Sequence, residues 1–190
     1  NRQDRLAANK YLSDFARLIR KNLDSSEETQ TPLREEIERL ELYLKLEHMR
    51  FKDKFEYKIE VDPDVPQDLI KVPAMLLQPF LENSIWHGLL PKETTGRVEV
   101  KISKQGDSLH MLISDDGIGI NNSLKSKLDT DSHISKGMEI TKSRIELIHK
   151  MTGENIQLIG PYQVNSDSGE VLGTKVEIIL PVNFSELFLQ

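Results

Sequence analysis

Glu82 and Asn83, the run Asp115-Asp116-Gly117-Ile118-Gly119, and Gly173-Thr174 are the residues of this chain whose types and order could do chemistry. A bound nucleoside triphosphate would need a partner for its base, an oxygen ligand for its Mg²⁺ and backbone able to come close to phosphate. A carboxylate, an amide side chain and glycines are the residue types that serve those needs. An ionised carboxylate such as that of Asp115 only accepts hydrogen bonds, so it would pair with an exocyclic amine and reject a carbonyl. Glycine lacks Cβ, so Gly117 and Gly119 allow a sharp turn beneath a ligand. Each element also has a plainer reading. Glu82-Asn83 could be an ordinary polar helix face, Asp-Asp-Gly a turn that ends a hairpin, and Gly173-Thr174 a strand start.

The elements that must position these residues are legible from periodicity. Leu6, Tyr11, Leu12, Phe15, Leu18, Ile19 and Leu23 recur at helical spacing, which predicts an amphipathic helix over the first 23 or so residues. A polar break follows from Asn22 to Thr31. Thr31-Pro32 then reads as a capping hydroxyl with proline at the first helical position, opening a second helix through Leu33, Ile37, Leu40, Leu44 and Phe51. A short link between two helices predicts an antiparallel hairpin, either a dimerisation stalk or a pair packed on its own domain. At Phe55 the period changes to two, and Phe55, Tyr57, Ile59 and Val61 read as a half-buried strand. Leu69 to Val72 predicts a short strand. Pro73 opens an apolar helix through Met75, Leu77, Phe80, Leu81 and Ile85, with Pro79 expected to bend it. Val98 to Ile102 and Leu109 to Ile113 form a hairpin around Gln105-Gly106-Asp107, with Asp115 at its exit. Asn121 to Lys136 reads as a mobile loop, Met138 to Met151 as a helix stopped at Gly153, and Asn155 to Ile159 and Lys175 to Leu180 as the last strands, joined across Pro161 to Gly173.

With 190 residues at 37% hydrophobic, the chain can build one sizeable core with an appendage. A formal charge of −6 argues against a phosphate-backbone binder, which excludes nucleic acid as the expected partner. Without cysteine there is no disulfide framework, thiolate metal site or thiol nucleophile, which fits a reducing compartment and makes a cytoplasmic location the default. No run approaches the roughly 18 apolar residues that span a bilayer, and the N-terminus lacks a signal-peptide h-region. The chain opens in helical character and without methionine, so a longer parent protein is expected.

The ordered set Tyr11-Leu12-Ser13-Asp14-Phe15-Ala16-Arg17-Leu18-Ile19-Arg20, Tyr43-Leu44-Lys45-Leu46-Glu47 with Arg50-Phe51, and Pro73 through Gly88 resembles the GHKL superfamily of gyrases, Hsp-type chaperones, histidine kinases and MutL. Within that superfamily the similarity is to LytS-like sensor histidine kinases, and it covers nearly the whole chain. The resemblance implies an α+β fold, a Bergerat-type sandwich with a mixed sheet and helices on one face, preceded by the helical hairpin. It divides the chain into residues 1–54, a dimerisation or linker segment, and residues 55–190, an ATP-binding catalytic domain. It also implies ATP and Mg²⁺ as cofactors. Asn83 would ligate Mg²⁺, Glu82 would act as base or water-orienting group, and His87 would hold phosphate or the preceding helix. Asp115 would read adenine, with Gly117, Gly119, Gly137, Met138, Gly173 and Thr174 completing the nucleotide site. The implied partners are a response regulator and a second copy of the full-length protein, whose parent is membrane-anchored.

The pattern breaks in two places. The family carries Gly-x-Gly-Leu and then asparagine at a helix entry where amides face phosphate, whereas here Gly137-Met138 is followed by Glu139, and Lys142 stands at the asparagine position. A glutamate pointing at triphosphate would repel it, although Lys136 could offset the charge. The asparagine-proline-histidine-phenylalanine motif of the phosphoacceptor is absent, and His48, His87, His110, His133 and His149 all lie in other contexts. The expected function is therefore ATP binding and γ-phosphoryl transfer to a histidine supplied elsewhere, with no autophosphorylation by this stretch alone. The alternative is a degenerate module that dimerises or binds a regulator without catalysis. A gyrase- or chaperone-type hydrolase is disfavoured because its acid, four residues before the asparagine, is replaced by Pro79.

Overall fold

In the computed structural model the described residues are 2–26, 30–121, 132–153 and 155–183. Helix α1 (Arg2–Ser26) and helix α2 (Leu33–Arg50) run antiparallel, tied by Lys21 to Glu38 at 3.1 Å and by Lys45 to Asp14. The expected hairpin is thus present, but its two stripes have different fates. On α2, Leu33, Ile37, Leu40 and Leu44 are buried in the protein core. On α1, Leu18 is buried, whereas Leu6, Leu12, Phe15, Ile19 and Leu23 stay exposed. The spacing showed two amphipathic faces and could not show that only one is covered within the chain.

The polar break expected between these helices contains a strand. Strand β1 (Gln30–Pro32) pairs antiparallel with β3 (Lys71–Pro73), Thr31 opposite Val72. Three residues, two of them polar and the third proline, cannot signal a strand by alternation; the partner backbone decides it. Thr31 consequently does not cap α2. Pro32 occupies the N-cap position without a side-chain cap, while the Thr31 hydroxyl donates to Glu35 Oε2 at 2.9 Å.

Strand β2 (Phe55–Val61) lies parallel to β4 (Gly96–Gln105), and parallel neighbours require a long crossover between them. That crossover carries β3, helix α3 (Gln78–Asn83) and a π-helical turn (Ser84–Leu89) across the sheet. Pro79 does not bend a helix that opens at Pro73. The helix begins at Gln78, so Pro79 falls in the first turn, where its missing N–H has no helical partner to lose. Widening to π geometry after Asn83 is seen where the Leu90 N–H donates to the Ile85 carbonyl at 2.9 Å. Such turns are rare and concentrate at functional sites.

Strand β4 turns at Gly106 (φ +57°) into β5 (Ser108–Asp115), which pairs with β7 (Val171–Pro181), which pairs with β6 (Gln157–Asn165). The sheet order is β2-β4-β5-β7-β6, antiparallel except for β2 and β4. Strands β6 and β7 extend past the expected ends and are joined by a short turn at Ser166–Glu170, not by a long connection across Pro161 to Gly173. Helix α4 (Ser132–Thr152) starts before Met138, so its first turns occupy sequence expected to be loop; the rest of that expected loop, 122–131, lies outside the described residues. Alternation puts Val98, Val100, Ile102, Met111, Ile113, Val176 and Ile178 on the inner face under the helices. Each such apolar side chain contributes about 1.5–3 kcal/mol when fully buried. Among the described residues, no helix is long and apolar enough to cross a membrane.

Candidate nucleotide-binding site

The site forms where the π-helical turn crosses the ends of β5 and β7. Asp115 is the last residue of β5, paired with Val98 on one side and Thr174 on the other, and only 8% exposed. Its Oδ1 accepts the Gly117 N–H at 2.9 Å, closing the turn, and the Ser84 hydroxyl and Thr174 N–H also bond to the carboxylate. Burial pushes the Asp115 carboxyl up to about 6, against those three hydrogen bonds. Asp116 does a different job. Its Oδ1 accepts the Arg97 N–H at 2.7 Å and its Oδ2 pairs with Lys92 at 3.1 Å, which anchors the turn to β4 and leaves Asp115 as the inward carboxylate.

Glycines let these backbones meet. A Cβ on Gly173, at φ +134°, would lie 1.8 Å from the Asp115 carbonyl oxygen. A Cβ on Gly117 would fall 2.5 Å from the backbone of Gly88, whose carbonyl accepts the Ile118 N–H at 3.0 Å. Gly119, at φ +79°, packs against Gln163 and Val171. Gly88 and Ser84 were not singled out from sequence. Gly88 carried a signal, since glycine inside a helical run is unfavourable unless packing requires it; Ser84 had none beyond following Asn83.

Asn83 ends α3, one residue before Ser84, and its Oδ1 is buried with no hydrogen-bond partner. An orphaned amide oxygen here fits a hard cation. No group of three or more His, Cys, Asp or Glu side chains gathers to hold a metal among the described residues. An ion at Asn83 would therefore complete its shell with phosphate and water, as Mg²⁺ does. Glu82 is the preceding residue of α3. It accepts from Gln78 Nε2 at 2.9 Å, and burial raises its carboxyl above the usual range; burial likewise raises the Tyr43 phenol and the Glu47 carboxyl on α2, with the Glu82 charge a lesser cause in both. His87 is half-buried on the π-helical turn. Gly137 and Met138 lie inside α4 rather than at its entry, and Glu139 and Lys142 are exposed there. Lys92, Asp116, Gly117, Ile118, Val171 and Leu172 line an open cavity of about 470 Å³ beside the Asp115 turn. A larger one, about 710 Å³, lies over the uncovered sheet face and contains none of the site residues.

A buried aspartate at a strand end, a glycine-lined turn and a crossover helix over a mixed sheet define a nucleotide-binding sandwich. Residues 70–183 match the family of histidine kinase-, DNA gyrase B- and HSP90-like ATPases, and residues 1–55 match a histidine kinase family. The chain belongs to that ATPase family, for which ATP binding is the implied activity. It is 31% identical over 185 residues to the sensor protein LytS of Oceanobacillus iheyensis, covering 95% of this chain and 30% of that protein. It is also 37% identical over 105 residues to the sensor histidine kinase BtsS of Escherichia coli K12, covering 55% of this chain and 18% of that protein. The chain thus spans under a third of the length of these relatives. A nucleotide-free catalytic domain of the histidine kinase ThkA shares the fold, with a TM-score of 0.50 and 18% identity over 80% of this chain and 96% of that one.

Proposed function

We propose that this chain is the ATP-binding catalytic region of a two-component sensor histidine kinase, passing the γ-phosphoryl of ATP to a histidine outside residues 1–190 and onward to a response regulator. The observation that carries this reading is the buried, accept-only carboxylate of Asp115, held open by Ser84, Gly88, Gly117 and Gly173. Asp115 accepts the adenine amine, Asn83 ligates Mg²⁺, and the Gly117–Gly119 turn admits the nucleotide, with Gly137, Met138, Gly173 and Thr174 completing the pocket. Bound Mg²⁺ supplies charge neutralisation for the transferring phosphoryl, where positioning and electrostatics dominate catalysis. The raised carboxyl of Glu82 suits a base or water-orienting role. Exposure of Glu139 favours this reading over the non-catalytic alternative, because its charge need not face phosphate. The bare apolar stripe on α1 supports residues 1–54 as a dimerisation and linker segment, which leaves 55–190 as the ATP-binding unit of a homodimeric, membrane-anchored parent.

Calorimetric titration of ATP, with GTP as control, tests the reading. ATP is expected to bind in preference to GTP and more tightly with Mg²⁺; absence of binding to folded protein would favour the non-catalytic module. Asn83→Ala is expected to remove the Mg²⁺ enhancement while binding in chelator survives. An unchanged enhancement would exclude Asn83 as the ligand.

The Asp115 carboxyl also predicts a pH dependence. The folded pocket holds this proton more tightly than the unfolded chain, so stability from this group is lost as pH rises from 3.8 through about 6, a change of roughly 3 kcal/mol. Adenine requires the ionised form, so ATP affinity changes in the opposite sense. It is expected to fall below about pH 6, approaching tenfold per pH unit. Titrations at about pH 5 and about pH 7.5 read this; equal affinities would reject the assignment.

A further inference from the structure

Helix α2 carries a buried ion pair whose carboxylate reaches across to the segment that leads into α3. Glu36 is 0% exposed and Arg39, paired with it, 1% exposed. Two charges one helical turn apart are an unusual way to fill a core. Replacing such a pair by apolar side chains is often neutral or stabilising, so stability alone does not account for it. What the carboxylate does accomplish is directional. Its Oε2 accepts the Met75 N–H and its Oε1 the Leu77 N–H, both at 3.1 Å.

These amides lead directly into α3. Leu77 is its N-cap residue and has no side-chain cap of its own, and Met75 is held at φ +57°, a conformation uncommon for a non-glycine residue. The carboxylate from α2 therefore supplies hydrogen bonds that the entry to α3 does not make for itself. A second grip lies beyond Asn83. The Arg50 guanidinium stacks over Phe51 and Trp86 at 4.9 and 5.1 Å, and Phe51 meets Trp86 edge-on at 5.3 Å. Helix α2 thus holds the segment carrying Asn83 before and after that residue.

We propose that Glu36 is a positioning residue for the nucleotide site, fixing the entry of α3 so that Asn83 presents its side-chain oxygen to the metal, and that a shift of α2 reaches the site through this carboxylate. The inference rests on the assignment of Asn83 as the Mg²⁺ ligand. Side chains that orient a metal ligand typically change metal affinity about 10- to 100-fold when altered. The effect of Glu36 should accordingly be on the metal-dependent part of binding and not on adenine recognition.

The test is titration of ATP, with Mg²⁺ and in chelator, into the 190-residue chain and its Glu36→Gln variant. The variant keeps the shape but presents an amide donor to one of the two backbone N–H groups. Its Mg²⁺ enhancement of ATP affinity is expected to fall about tenfold, with affinity in chelator unchanged. A purely structural role would lower the melting temperature and leave the enhancement as in wild type, and that outcome overturns the proposal. A wild type without any enhancement removes both the Asn83 assignment and this inference; a wild type with it and an unaltered variant removes this inference alone. Should Glu36→Gln fail to fold, amide hydrogen exchange on the wild type decides. Protection at Met75 and Leu77 is expected to rise with MgATP over ATP in chelator, and unchanged protection there overturns the proposal.

Discussion

Gly173→Ala is expected to cause the largest loss of stability of any glycine substitution around the site. Its Cβ would sit 1.8 Å from the Asp115 carbonyl oxygen and 2.8 Å from the Asp116 Cα, and both neighbours are backbone. No side-chain rotation can relieve that overlap, so the β5 and β7 ends must separate where Asp115 pairs with Thr174. The backbone itself adds a second penalty, because φ +134° is rarely adopted by residues with a Cβ. Overpacking typically costs about 1–3 kcal/mol and a strained backbone position a further 1–3, about 2–6 kcal/mol combined. For a chain of this size that corresponds to a fall in melting temperature of about 5–25 °C. Gly169→Ala is the control, since Gly169 also has positive φ (+85°) but nothing within 4 Å of its Cβ position. Equal melting temperatures for the two variants would contradict the close backbone approach on which the pocket depends.

Asp115→Ala is expected to have the largest effect on binding, weakening ATP by about 1–3 kcal/mol, because adenine's amine then loses its acceptor. That corresponds to about 5- to 150-fold in the dissociation constant. The same truncation leaves the Ser84 hydroxyl and the Gly117 N–H without the carboxylate they bond to. It also removes a carboxyl whose burial is unfavourable to its charge, so the two effects on stability oppose each other at neutral pH. Binding and stability should therefore separate in this variant, with a large loss of affinity and a modest change in melting temperature. Asp115→Asn tests the direction of the hydrogen bond. Its amide can donate where the carboxylate only accepts, so discrimination of ATP over GTP is expected to narrow. Unchanged ATP affinity in Asp115→Ala would end the case for this residue as the base reader.

Chemical identity and order along the chain are enough to indicate the family and, through it, the proposed site. Asn83, Asp115, the turn glycines and Gly173-Thr174 stand in the sequence in an order matching a known family, and alternation puts Asp115 at the end of a strand. The central hairpin was equally plain, because β4 and β5 each bury one face and the period-two pattern records that directly. Local signals failed where a partner distant in sequence supplied the reason. Strand β1 exists because β3 pairs with it, and Pro79 fits because α3 starts one residue earlier than it. The ends of β6 and β7 depend on each other and not on their own composition.

By itself the sequence determined the class of fold and the two amphipathic helices, and it supplied the residues proposed to meet a nucleotide, since these follow from side-chain type, order and local period. Only the tertiary structure decided which helix face is covered, that Asp115 points inward while Asp116 anchors the turn, that Gly88 and Ser84 pack against Asp115, and that Glu36 reaches from α2 to the entry of α3. Those depend on contacts between residues far apart in the chain, and neither composition nor local periodicity records which distant backbone a side chain will meet.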